Sequence, residues 1–151
     1  MKTLDILVID DDMTIKMSIQ RTISKKRFKN DVSTFNNGKE ALLQLDHKAN
    51  KMDQILIFLD INMPVLNGWD FMDELQNKDY QEKVNVLIMS SSTALSDKKR
   101  SNGYPQVMGY LEKPFASETI LDVIDLFNNN VVIPNLEAKA KTSLVKKEIK
   151  V

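Results

Sequence analysis

The chain contains no cysteine, a single histidine and no net charge, and each shortage removes a class of function. Without cysteine there are no disulfides and no thiolate chemistry, which fits a reducing compartment, so the expected location is the cytoplasm. The 21 basic and 21 acidic residues cancel, so no bulk field draws the chain to nucleic acid or to an anionic membrane, and neither is expected as a partner. No apolar run approaches the roughly 20 residues that span a bilayer. Asp5 and Asp10 to Asp12 interrupt the stretch where a signal segment would have to lie. The lone His47 makes no metal or catalytic centre by itself and reads as an exposed residue near a helix end. There is also no Gly-rich phosphate loop after the first apolar run, which removes a nucleotide-binding domain of that kind. No internal repeat or low-complexity linker is present. The 151 residues are enough for one domain with a real hydrophobic core.

What is present is organised around Ile55 to Asp60, a short apolar run that ends in a carboxylate and is followed by Asn62, Pro64 and Gly68. Such a run reads as a strand buried on both faces of a parallel sheet. Leu4 to Ile9 is a second run of this kind and ends in Asp10, Asp11 and Asp12. Asp31 to Phe35, Val84 to Met89 and Val107 to Leu111 complete a set of five strands. Helical patterns fall between them. Ile15, Ile19 and Ile23 recur every fourth residue with Lys16, Gln20 and Arg21 between, Thr14 standing as N-cap and Lys25, Lys26 and Arg27 at the negative end. Asn36, Asn37 and Gly38 lead into a helix with Ala41, Leu42 and Leu45 on one face. Trp69 to Leu75 forms a third helix in which Trp69 is expected to be half-covered. Ser96 and Asp97 start a short, weakly apolar fourth helix, stopped by Gly103 and Pro105. Ser117 caps the last, with Ile120, Leu121, Ile124 and Phe127 inward. Strand and helix alternating five times predict a doubly wound α/β fold: a parallel sheet with right-handed crossovers and helices on both faces.

In such a fold the carboxyl ends of the strands line the crevice where ligands bind. That edge gathers Asp10 and Asp11 from the first strand, Asp60 from the third, Ser90 from the fourth and Lys113 from the fifth. Three crowded carboxylates repel one another unless a cation neutralises them. Mg²⁺ fits, since it takes oxygen ligands and needs neither cysteine nor histidine. Asp60 beside it is a carboxylate nucleophile for phosphoryl transfer, with Ser90 to hydrogen-bond a phosphoryl oxygen and Lys113 to neutralise its charge. Each residue also has a plainer role: Asp10 to Asp12 as a helix cap, Ser90 to Thr93 as a polar turn, and Lys113 as a surface lysine. Their coincidence at one edge favours the chemistry.

Four motifs, VIDDD at Val8 to Asp12, FLDINMP with NG at Phe58 to Gly68, LIMSSS at Leu87 to Ser92 and GYLEKPF at Gly109 to Phe115, resemble the receiver domain of bacterial two-component response regulators, of the chemotaxis-regulator type. The resemblance implies a flavodoxin-like (βα)5 domain over residues 1–128, with strand order 2-1-3-4-5. It implies that Asp60 is the phosphoacceptor, supplied by a sensor histidine kinase or a histidine phosphotransfer protein. Asp10, Asp11, Asp60 and the backbone carbonyl of Asn62 would hold Mg²⁺, Ser90 would be the switch hydroxyl, Lys113 the phosphate-pairing lysine and Tyr110 the aromatic that follows Ser90. A core-edge packing role is the alternative for Tyr110. Members of the family commonly have a cis bond before the proline matching Pro114.

Two stretches depart from the usual pattern. KRSNGYPQ at Lys99 to Gln106 replaces an Ala-rich, Gly-containing approach to the fifth strand, and Ser91 stands where a smaller alanine is frequent, bearing on access to Asp60. Residues 129–151 are expected to be a solvated, partly disordered Lys-rich tail. With no effector domain in the sequence, the expectation is a stand-alone regulator rather than an enzyme, a phosphorylation-controlled switch whose output is binding a further, unidentified protein. Alternatives are a phosphorylation-independent receiver-like interaction module and a phosphohydrolase using Asp60. The second is disfavoured because such enzymes place the nucleophile after the first strand and an acid where Asn62 stands.

Overall fold

The apolar runs form five parallel strands, β1 (Leu4–Ile9), β2 (Asp31–Phe35), β3 (Gln54–Asp60), β4 (Val84–Ser90) and β5 (Val107–Glu112), in one sheet of order β2-β1-β3-β4-β5. Five helices alternate with them: α1 (Met13–Lys25), α2 (Gly38–Lys48), α3 (Gly68–Leu75), α4 (Leu95–Ser101) and α5 (Ser117–Asn128). The computed structural model describes residues 3–25 and 30–128. Lys26, Arg27 and the tail at 129–151 lie outside the described residues. No described helix is long and apolar enough to cross a membrane.

Side chains alternate along each strand, so every interior strand feeds two cores. Leu7, Ile9, Ile55, Ile57, Leu59, Val86 and Ile88 pack with Ala41, Leu42 and Leu45 of α2 and Phe71, Met72 and Leu75 of α3. Ile6, Val8, Leu56, Phe58, Leu87 and Met89 face the other way, against Ile19 and Ile23 of α1 and Ile120, Val123 and Ile124 of α5. This two-faced burial is why β3 reads as an unbroken apolar run.

Several local expectations are corrected. Asp12, not Thr14, caps α1: its Oδ1 accepts the Thr14 N–H at 2.8 Å. Ser117 lies inside the first turn of α5, where the Ala116 carbonyl accepts from the Thr119 N–H at 3.1 Å. The inward face of α5 is Thr119, Ile120, Val123 and Ile124, with Leu121 and Phe127 half-buried, a stripe slightly rotated from the one expected. Helix α4 starts at Leu95 without a side-chain cap, and Asp97 instead accepts the Ser92 hydroxyl at 2.7 Å. Trp69 is buried rather than half-covered, at 7 % exposure. Lys16 is buried too, donating to Asn36 Oδ1, so the lysine in the α1 pattern belongs to the covered side. His47 is exposed as expected.

The connection from β3 to α3 carries two backbone constraints. A Cβ on Gly68 would meet the Asp60 carbonyl oxygen at 2.6 Å and Ile61 Cα at 2.7 Å, so the helix starts against the strand only because this residue is glycine. Val65, 76 % exposed, has a φ of 72°, a left-handed conformation that β-branched residues rarely adopt. Asn67 then caps α3, accepting the Asp70 N–H at 2.9 Å.

Candidate functional site

Parallel register brings the ends of β1, β3, β4 and β5 to one edge of the sheet. Asp10 follows β1 and is fully buried, Asp60 ends β3 at 5 % exposure, and Asp11 is exposed. Carboxylate oxygens of the three lie within 4.8 Å of one another. Lys113, just after β5, reaches between two of them: its Nζ is 2.7 Å from Asp10 Oδ2 and 3.6 Å from Asp60 Oδ1.

Asp10 is held from both sides, because its Oδ1 also accepts the Asp12 N–H at 2.9 Å while its backbone N–H donates to the Phe35 carbonyl at 3.1 Å. Asp60 has less compensation. Burial first, and then the charge of Asp10, push its carboxyl from 3.8 up to about 6, with the Lys113 ammonium and the Asn62 N–H, 3.4 Å from Asp60 Oδ1, pulling the other way. For Lys113 burial disfavours the charge, yet the hydrogen bond to Asp10 and the fields of Asp60 and Asp10 outweigh it, so the ammonium is held above its ordinary range. Clustered oxygen donors, one of them open to solvent, suit a hard divalent cation such as Mg²⁺.

Ser90 is completely buried at the same edge. Its Oγ accepts the Ser92 N–H at 3.0 Å, and its carbonyl accepts the Lys113 N–H at 2.8 Å, tying β4 to the lysine's backbone. Ser92 is the hub of this loop, a role that the run SSST did not distinguish from its neighbours. Besides the bond to Asp97, its Oγ accepts the Ala94 N–H at 3.2 Å and its carbonyl accepts the Tyr110 hydroxyl at 2.9 Å. Tyr110 is half-buried against the core, and Lys98 Nζ lies 5.9 Å from its ring centroid while pairing with Glu112. The Lys113–Pro114 peptide bond is cis, as the resemblance implied. Structure thus gathers Asp10, Asp11, Asp60 and Lys113 into one constellation, sets Ser90 beside it through the β4–β5 pairing, and links Tyr110 to that loop through Ser92. Asn62 contributes its N–H to Asp60.

Comparison with known proteins gives the family of the chain. Residues 6–125 match the response regulator receiver domain. Protein PilG of Pseudomonas aeruginosa is 32 % identical, over 80 % of this chain and 84 % of its own length. The probable transcriptional regulator ycf29 of Porphyra purpurea is 31 % identical over 80 % of this chain, but only 54 % of its own length is matched, so the chain spans about half of that relative. Among solved structures, the chemotaxis protein CheY4 of Vibrio cholerae superposes with a TM-score of 0.69 at 25 % identity, covering 82 % of this chain and 97 % of that one.

Proposed function

The chain belongs to the receiver-domain family of response regulators, and from that premise we propose that it is a phosphorylation-controlled switch in which Asp60 accepts a phosphoryl group from a phosphohistidine. The donor in this reading is a sensor histidine kinase or a histidine phosphotransfer protein, in the cytoplasm, and the output is altered binding of another protein. The observation that carries it is the convergence of the Asp10, Asp11 and Asp60 carboxylates within 4.8 Å, with the Lys113 ammonium between Asp10 and Asp60.

Each group has a stated task. An ionised Asp60 oxygen forms a bond to phosphorus as the phosphorus–nitrogen bond breaks; the imidazole leaves with that electron pair and is neutralised by a proton. A carboxyl raised to about 6 is more basic than usual yet ionised at neutral pH, which suits a nucleophile. Asp10, Asp11, Asp60 and the Asn62 carbonyl would hold Mg²⁺. When bound, the ion neutralises the carboxylates and the phosphoryl oxygens. Lys113 supplies a fixed positive charge for the acquired phosphoryl group, and the Ser90 hydroxyl, released from Ser92, donates to one of its oxygens. Tyr110 follows through its bond to the Ser92 carbonyl.

The test is intact-mass measurement after incubation with Mg²⁺ and a small-molecule acyl phosphate. A single labile phosphoryl adduct is expected on the wild type and none on Asp60→Asn. No adduct on the wild type, or an undiminished one on the variant, overturns the proposal.

A further inference from the structure

The segment Lys99 to Gln106, which departs from the usual pattern, lies against one face of α3. Trp69, Asp73 and Gln76 are spaced at i, i+4 and i+7 and share that face. Tyr104 stacks on Trp69 with ring centroids 6.0 Å apart and planes at 14°, and its hydroxyl donates to Asp73 Oδ1 at 2.6 Å. Arg100, on the last turn of α4, sits 4.8 Å from the Trp69 ring centroid and 3.8 Å from Asp73. Gln76 Nε2 donates to Gln106 Oε1 at 2.9 Å. The Arg100–Asp73 pair is half or more exposed and contributes little. Most of the attachment therefore resides in the aromatic stack, the guanidinium on Trp69 and the tyrosine bond to a carboxylate.

The opposite end of α4 is attached elsewhere. The Ser92 hydroxyl donates to Asp97 in its first turn, and the Ser92 N–H donates to Ser90 Oγ. Helix α4 is seven residues long, about 10 Å, and Ser101 is its only buried residue. So short a rod is tied to the Ser90 loop at one end, to α3 at the other and to β5 through the Lys98–Glu112 pair, so a displacement of the loop bears on its seat on α3.

We infer that Arg100 and Tyr104 form a latch with Trp69 and Asp73 that seats α4 on α3 in the unphosphorylated protein and must release for the phosphorylated form to be reached. The inference rests on the phosphoacceptor reading above. A contact made in only one of two states biases the equilibrium toward that state, and its loss favours whatever binds the other.

Beryllofluoride with Mg²⁺, a mimic of the phosphoryl group, is the probe, titrated against wild type, Tyr104→Phe and Asp73→Ala. Tyr104→Phe keeps the ring and removes only the hydroxyl, and Asp73 is a surface side chain, so both variants retain the core. Trp69 is the single tryptophan, and its emission follows the latch in the wild type; calorimetry gives affinities for all three proteins. Expected is a change in Trp69 emission on binding, and affinity about fivefold tighter in each variant, the tenfold-per-1.4 kcal/mol equivalent of ~1 kcal/mol. Wild-type binding with silent emission, or variants that melt earlier but bind the mimic no more tightly, overturn the latch and leave the phosphoacceptor reading standing. Failure of the wild type to bind the mimic overturns both.

Discussion

Asp60 is nine-tenths covered and faces Asp10 on one side and Lys113 on the other, and its protonation links stability to pH. Its carboxyl sits at about 6 in the folded chain against an ordinary 3.8. Below pH 4 both folded and unfolded chains carry the proton, and the group costs nothing. Between about pH 4 and 6 the unfolded chain ionises first, so stability falls as pH rises; above 6 the loss is complete, ~1–3 kcal/mol. Asp60→Asn should therefore melt at the same temperature as wild type near pH 4 and higher at pH 8, in metal-free buffer. A variant that is less stable at pH 8 contradicts this. Asp10, Asp11, Asp60 and Lys113 were legible because apolar runs ended in them. Lys16 was not: its burial depends on Asn36 across the β2 end, a contact that spacing within α1 does not reveal. Asp10 to Asp12 could be read as a helix cap, but spacing did not show that it is Asp12 that caps α1, nor that its N–H donates to Asp10.

At the scale of elements, the loop between β3 and α3 stores strain in Val65. Asn tolerates a φ of 72° better than a β-branched residue, and the side chain is exposed. Val65→Asn should raise the unfolding free energy by ~0.5–1 kcal/mol, seen as a higher denaturant midpoint with an unchanged slope. No gain would mean that the loop relaxes without help from the residue type. Helices α1, α2 and α3 could be read from their apolar stripes. Helix α4 could be placed but not understood, since hydrophobic periodicity detects burial against a core and α4 is secured by a guanidinium, a phenol and a hydroxyl. Arg100 and Tyr104 find Asp73 27 and 31 residues away, and the Ser92 hydroxyl reaches Asp97 from outside the helix, so none of these contacts leaves a periodic trace.

Across the whole molecule, the sheet is a wall between two cores. Phe58 is fully buried on the α1–α5 side, and Phe58→Ala should cost ~3–5 kcal/mol, seen in urea unfolding as a lower midpoint. A loss below ~1 kcal/mol would show that the neighbouring helices close the space. Five alternations of strand and helix were enough to read a parallel sheet. Strand order was not contained in them, because interior strands buried on both faces read alike; it came from the resemblance, and the sheet pairs as that implied.

The ion pair between Lys113 and Asp10 joins residues 103 positions apart. During synthesis the acids of β1 and β3 leave the ribosome long before the amine that offsets them. A chain that ends before residue 113 could close this edge only by burying Asp10 without its counter-charge, a penalty of several kcal/mol, so the edge cannot be completed until the fifth strand has been made.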